Sequence, residues 1–350
     1  MSKVKIGFVG VGFMGQRAHL QNYVNVPDCE VVAISELRPE MGKLVAARYG
    51  VPKVYLTAEE MFAAEKLDGV VASQPFHFHG SIIPMIAKHK LPVFTEKPIS
   101  NSIATGEKIC KALQETGTWQ MVGYHKRNDP AVAYAIKQIA DWKTSGEVGK
   151  MKYIRALMPA GDWVGNGARG LISTDEKVPT ILGDPNPPDM DETLNNEYQG
   201  FVNYFIHQVN LIAYLLGERY RATYAEKSGV LMAGESISGI PIVLEMTPYF
   251  TSMDWQESYL IGFEKGYIKI ELPCPLAHNR PGRIEIFKDG VEGVSPTTTV
   301  PMLPFDHAMF KQAENFVAAV AGKAKPACDA AEALEDIKVA REYIRLRFGK

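Results

Sequence analysis

Residues 4–15 read VKIGFVGVGFMG, and residues 30–36 read EVVAISE. The first stretch is a short apolar strand, Val4 to Val9, that runs into Gly10-Val11-Gly12-Phe13-Met14-Gly15, with a helical segment expected through about Asn25. Glu30 to Ile34 is a second, β-branched strand that ends at Ser35-Glu36. A lone GxGxxG carries little weight, because glycine turns are common. Here strand, glycine turn, helix, second strand and an acid 21 residues past the last glycine come in order, which is the pattern of a dinucleotide-binding unit. Gly10 permits the tight turn, Gly12 lets the backbone approach a pyrophosphate, and Gly15 lets helix and strand pack closely. Free amides at the helix start, around Phe13 and Met14, receive the phosphate charge. A carboxylate at the end of the second strand accepts from ribose hydroxyls and repels a 2′-phosphate, so Glu36 favours NAD over NADP. Arg38 can lean over the adenine, tolerate a phosphate, or stand solvated at the surface.

The composition agrees with such a unit and leaves room for more. At 350 residues the chain is long enough for two domains. Lys plus Arg is 38 and Asp plus Glu is 40, a net −2, which removes the electrostatic case for nucleic acid or anionic lipid as the main partner. No apolar run approaches the roughly 20 residues of a membrane helix. MSKVKIGFVG enters a strand at once, which leaves no room for a signal peptide. Cys29, Cys110, Cys274 and Cys328 are scattered with no CxxC pair, so neither a disulfide framework nor a zinc site is expected. The expectation is a reduced, cytoplasmic protein.

Further α/β units follow: a helix over Leu44 to Tyr49, a strand over Lys53 to Leu56, a helix over Ala58 to Ala64 and a strand over Gly69 to Ala72. The last ends at Ser73-Gln74-Pro75, with His77 and His79 just beyond. Carboxyl ends of parallel strands are where open sheets bind ligands, so Gln74, Pro75 and His79 are candidate cofactor contacts. His79 reads equally well as a capping or packing histidine. The HFH run has no further ligands at zinc-binding spacing, so no metal is expected. Leu91 to Thr95 is the next strand and delivers Glu96-Lys97-Pro98 to the same edge.

From Met151 onward the pattern changes to alternating β runs with short turns: MKYIRALM, RYRATYAEKSG, PIVLEMTPYF, WQESYLIGFE, GYIKIEL and RIEIFK. Asp306 to Val320 and Asp329 to Arg347 read as closing amphipathic helices. The fold class is therefore α/β: an N-terminal Rossmann domain, 1–125, and a C-terminal α+β domain, 126–350, with a large, open, mainly antiparallel sheet. Between Pro159 and Asn196 lies a long loop rich in Pro, Gly and Asp, of a length usually functional or disordered. Within it Trp163 could stack on a sugar face while Asp162 binds hydroxyls. The run 198–216, YQGFVNYFIHQVNLIAYLL, reads as one largely buried helix with Asn203, His207 and Asn210 at i, i+4 and i+7 on a narrow polar face. Three buried polar groups on one stripe point to a shared pocket.

The GxGxxG unit, the EKP after a strand and the later histidine-bearing helix together resemble the Gfo/Idh/MocA oxidoreductases, over nearly the whole chain. The resemblance implies that Glu96 lies near the nicotinamide ribose and Lys97 faces the reacting carbinol. Oxidising an alcohol needs a hydride acceptor and a group that takes the hydroxyl proton, and an oxidised nicotinamide ring with partial burial would push a lysine toward a useful pKa. The family carries aspartates four before and three after the helix histidine, where this chain has Asn203 and Asn210. An asparagine orients a hydroxyl but cannot stabilise Lys97 as a cation, so His207 is expected to share or take over the proton transfer, with Asn203 beside it. Tyr124 and Arg127, in GYHKR, are candidate substrate contacts or interdomain packing residues. The reading is an NAD-dependent dehydrogenase acting on a secondary hydroxyl of a sugar, glycoside or cyclitol, with C3 of a sugar one implied target and a tightly bound, recycled cofactor one implied mode. Glycoside cleavage through transient oxidation and elimination is the enzymatic alternative. A nucleotide-sensing regulator on the same fold is the non-enzymatic one. A homodimer or homotetramer is implied by the resemblance alone.

Overall fold

In the computed structural model, which describes residues 2–290 and 294–349, Val4–Val9 forms strand β1 at the centre of a six-stranded sheet. β1 is buried on both faces except at Lys5, which is why it reads as a continuous apolar run rather than an alternating one. The other strands are β2 (Cys29–Ser35), β3 (Lys53–Tyr55), β4 (Gly69–Ala72), β5 (Val93–Glu96) and β6 (Gln120–Gly123). Their order is β3-β2-β1-β4-β5-β6, and every pairing is parallel. The strand order therefore reverses direction between β1 and β4, the place where a doubly wound sheet opens a crevice at its carboxyl edge.

The chain divides into two compact units that do not follow its two halves. The first comprises the residues up to Tyr124 together with Gly167–Asn203 and Met309–Ile337. The second comprises His125–Asn166, Tyr204–Ala308 and the residues from Lys338 onward. Thus much of the long loop and one late helix, both beyond residue 125, pack with the nucleotide-type sheet. The late helix, Ala308–Val320, contributes Phe316, whose ring meets Tyr23, Phe94 and Trp119 edge-on at 5.7–6.2 Å. Phe316 is fully buried, and Val122 donates to the Cys328 carbonyl at 2.9 Å. The Rossmann core is thus completed by residues some two hundred positions downstream of β6.

Two expected elements differ from their sequence reading. The segment after the glycine turn opens as a π-helix, Gly15–Leu20, followed by a single turn of α-helix, Gln21–Tyr23. The wider turn accompanies inward placement of Gln16 and His19, both 1% exposed. The expected single helix over 198–216 is two helices, Glu192–Tyr204 and Ile206–Leu216, broken at Phe205 (φ −99°, ψ −3°).

In the second unit, β7 (Met151–Ala160), β8 (Tyr220–Ala225), β9 (Leu231–Ser236), β10 (Pro241–Phe250), β11 (Glu257–Phe263), β12 (Gly266–Leu272), β13 (Arg283–Lys288) and β14 (Thr297–Thr299) form one sheet. The order is β14-β13-β12-β11-β7-β10-β9-β8, antiparallel apart from the β7–β10 pair. Alternate residues of β11 are buried, the period-two signature of a sheet with one covered face. The helix Pro130–Ser145 packs by Trp142 edge-on against Phe263, with centroids 5.0 Å apart. Among the described residues no helix is long and apolar enough to cross a membrane.

Asp129 starts that helix. Its carboxylate accepts from Ala131 N at 2.8 Å and from Gly282 N at 3.1 Å, and burial raises its pKa from 3.8 to about 6 against those bonds. The folded state then holds the proton more tightly than the unfolded chain does. Its contribution to stability is greatest below pH 3.8 and declines as pH rises to about 6. Urea unfolding across this window should show wild type losing roughly 3 kcal/mol relative to Asp129→Asn as pH rises. Parallel pH dependences for the two proteins would contradict the assignment.

Candidate functional site

The glycine turn has the geometry of a phosphate cradle. Gly10 has φ +79°, and a Cβ there would stand 2.5 Å from the Gln74 side-chain nitrogen. Gln74 in turn donates to the Val9 carbonyl at 3.0 Å, so it braces β1 against the end of β4. A Cβ on Gly15 would meet the Gly10 carbonyl at 2.8 Å, which only glycine avoids. At Gly12 the same construction meets nothing within 4 Å, leaving open space over the backbone. Phe13 and Met14 are half-buried at the start of the helical turn, and Pro75 is exposed beside Gln74. These residues fit a bound dinucleotide: a tight turn, an open approach at the middle glycine, and a helical turn that starts just beyond it.

Glu36 is 5% exposed at the end of β2. Its Oε2 accepts from Val11 N at 2.9 Å, and Oε1 accepts from Arg38 Nε at 2.7 Å. The acid therefore braces the glycine turn, and Arg38 leans back onto it rather than standing solvated. His79 is fully buried, with Nδ1 3.0 Å from the Ile99 carbonyl and Nε2 3.3 Å from the Gln74 carbonyl. Burial lowers its pKa below the ordinary value, against the two carbonyls, which act to raise it. Of its two sequence readings, the structure carries the packing one. His79 ties the end of β4 to the loop after β5 and offers no outward nitrogen.

That loop carries Glu96-Lys97-Pro98. His19, which the sequence reading overlooked, places Nε2 2.7 Å from Glu96 Oε1. The Lys97 ammonium donates to the Asn203 backbone carbonyl at 2.7 Å. Asn203 lies in the last turn of the helix Glu192–Tyr204, where carbonyls lack a partner four residues on and carry partial negative charge. A helix end thus supplies the acceptor. The Asn203 side chain itself is exposed. The break at Phe205 dissolves the expected three-residue stripe, because residues 203 and 207 no longer share one helix.

The second unit gathers the other candidates. Asn210 is fully buried, and its Oδ1 accepts from Arg127 Nε at 2.7 Å. The Arg127 guanidinium lies 4.5 Å from the Tyr214 ring centroid, so it is a buried, stacked arginine. The His207 ring meets His125 edge-on at 4.7 Å. Trp163 is 39% exposed, and one oxygen of Asp162 is spent on Val164 N and Gly165 N, both at 3.0 Å. Tyr124 is 1% exposed and packs in the first unit.

A polar centre missed in the sequence is built in part by Lys126 and Gln208, the chain neighbours of His125 and His207. Glu257, 1% exposed, accepts from Lys126 Nζ, Gln208 Nε2 at 2.8 Å, Trp255 Nε1 at 3.2 Å and Tyr259 OH at 2.6 Å. Burial lowers the Lys126 pKa despite this partner. A signal did exist: Glu257 shares its strand face with Tyr259, Ile261 and Phe263, a carboxylate in an apolar register.

The long loop forms a strap within the first unit. Gln16 exchanges two hydrogen bonds with the Ile172 backbone at 3.0 and 3.1 Å, and Arg17 donates to the Gly167 carbonyl at 2.6 Å. Glu176 accepts from Glu40 N and Met41 N. Asp184 accepts from Gly80 N at 2.7 Å, and Asn101 donates to the carbonyls of Asp184 and Pro185. The strap therefore touches the chain after β1, β2, β4 and β5 in turn, along the carboxyl edge. Among the described residues no group of three or more His, Cys, Asp or Glu is placed to hold a metal ion.

A parallel sheet of this order, with a glycine cradle and an acid after β2, defines a dinucleotide-binding Rossmann protein. The model of the oxidoreductase family with an NAD-binding Rossmann fold, GFO_IDH_MocA, matches residues 4–124, the stretch that carries the six-stranded parallel sheet. Myo-inositol 2-dehydrogenase of Thermotoga maritima is 23% identical over 225 residues, 64% of this chain and 58% of that protein. The chain thus spans less than two thirds of that relative's length. A 2,7-anhydro-N-acetylneuraminate hydratase of Mediterraneibacter gnavus is 25% identical over 285 residues, 78% of this chain and 68% of its own. Among solved structures, levoglucosan dehydrogenase in complex with NADH and levoglucosan shares the fold with a TM-score of 0.74. That similarity is at 16% identity and covers 99% of this chain and 98% of the other.

Two outcomes test the site. Gly10→Ala should weaken NAD binding by about tenfold or more, because its Cβ displaces Gln74 and the backbone must hold a left-handed conformation. Isothermal titration with unchanged affinity would refute the cradle. Lys126→Met should lower unfolding stability by roughly 3 kcal/mol, since it leaves Glu257 buried without its cation. Chemical denaturation reads this directly.

Proposed function

We propose that this protein is an NAD-dependent oxidoreductase moving a hydride between nicotinamide and a secondary hydroxyl of a sugar, glycoside or cyclitol. The observation that carries the reading is Lys97, held at the carboxyl edge of the Rossmann sheet by the Asn203 carbonyl. NAD, when bound, supplies the hydride acceptor. Gly10, Gly12 and Gly15 would receive its pyrophosphate, Glu36 its adenosine ribose, and Glu96 its other ribose. When the carbinol C–H bond gives up its hydride, the hydroxyl proton needs a base, and the carbonyl becomes the product. Lys97 fits that task because its amine is held in place by a backbone oxygen at a helix end, at the sheet edge where a bound nicotinamide would lie. His207, packed against His125, shares the proton transfer or takes it over. Arg127, oriented by Asn210, and Trp163, half-open to solvent, would bind substrate hydroxyls and a sugar face. The uncovered face of the eight-stranded sheet would serve subunit contact in a dimer or tetramer.

A second reading has a specific support. A hydratase, 25% identical to this chain over 285 residues, fits a sugar-modifying reaction without net redox change. In that reading transient oxidation beside the scissile bond allows elimination, water addition and return of the hydride.

Purified protein incubated with NAD and a panel of cyclitols, sugars and glycosides separates the two. NADH accumulation supports the dehydrogenase, and aglycone release without NADH supports the second reading. Lys97→Ala should lower kcat by roughly 100-fold or more with NAD still bound, and His207→Ala should shift the pH–rate profile. A profile indifferent to both substitutions would overturn the proposal.

A further inference from the structure

The helix Pro39–Tyr49, which follows β2, has no side-chain cap from its own sequence: its N-cap is Arg38, and Pro39 has no N–H. The cap comes from the strap, 135 residues away. Glu176 Oε1 accepts from Glu40 N at 3.0 Å, and Oε2 accepts from Met41 N at 2.8 Å and from the Thr174 hydroxyl at 3.1 Å. Glu176 also lies within electrostatic range of Arg38, whose guanidinium is already paired with Glu36 at 2.7 Å. This corner is where a Rossmann protein meets the 2′ position of the adenosine ribose. A 2′-phosphate there draws on two resources, an arginine and free amides at a helix start. Here both are occupied by carboxylates, one local and one delivered by the strap.

We infer that Glu176 is a second determinant of cofactor choice, acting with Glu36 to exclude the 2′-phosphate of NADP. The inference rests on the proposal that NAD is the cofactor. A phosphate entering this corner meets two negative charges and must displace Glu176 from the amides. A ribose hydroxyl carries no charge and needs neither the arginine nor the helix start. The residue comes from a segment with no nucleotide-binding motif, so the glycine fingerprint and its acid describe only half of the discrimination.

The test is equilibrium binding of NAD and NADP to the full chain, as wild type, Glu176→Gln and Asp175→Asn. Asp175 is an exposed neighbour, and its substitution changes net charge equally. Glu176→Gln should tighten NADP binding by about tenfold while NAD affinity changes by less than about threefold. Asp175→Asn should leave the NAD-to-NADP ratio in place. Thermal unfolding of each variant verifies the fold. An unchanged ratio in Glu176→Gln, an equal shift in Asp175→Asn, or a parallel loss of both affinities would overturn the inference. A wild-type preference for NADP would instead remove its premise, the NAD reading itself.

Discussion

The Lys97 ammonium donates to a carbonyl at the end of a helix, and much of the candidate chemistry depends on that contact. The helix Glu192–Tyr204 stops one residue past Asn203, so the acceptor is a backbone oxygen released by the break at Phe205. The carbonyl orients the amine, and the partial negative charge of the helix end attracts it. Asn203 thus contributes its backbone oxygen, while its side chain is exposed. Asn210, the other amide, does a separate task as the acceptor that turns Arg127.

Behind Lys97 stands a chain of neutral or paired groups that fix the loop. His19 holds Glu96, His79 bridges the Gln74 and Ile99 carbonyls, and Gln74 leans over Gly10. Each link joins a different strand end, so the carboxyl edge behaves as one braced surface. The strap adds to that bracing by hydrogen-bonding to the chain after four of the strands. It also puts carboxylates on two helix starts, at Met41 and Gly80. Such contacts are individually modest, but buried or partly buried networks of this kind limit the conformations available to a site.

The Rossmann unit and its glycine cradle were legible in the chain because their constraints are local. A left-handed turn needs Gly10, close helix packing needs Gly15, and the acid follows at a set distance along one βαβ unit. Strands buried on both faces announce themselves as apolar runs, and half-buried strands as alternation. The position of Lys97 at the sheet edge followed from the same periodicity. Less visible were His19, which looks like any helix residue, and Glu257, whose only trace was a carboxylate among apolar residues on one strand face. The helix break at Phe205 left no glycine or proline to mark it.

Sequence alone thus determined the nucleotide-binding architecture, the antiparallel second sheet and the place of Lys97 at the end of a sheet strand, since each depends on spacing within a few dozen residues. Tertiary structure alone decided that residues 167–203 and 309–337 belong with the first unit, and that Glu176 caps a helix 135 residues away. It also decided that Lys97 is held by a backbone oxygen. The physical reason is common to all three. A hydrogen bond between distant segments requires only one donor and one acceptor, every residue but proline carries both on its backbone, and such pairs impose no period on the chain.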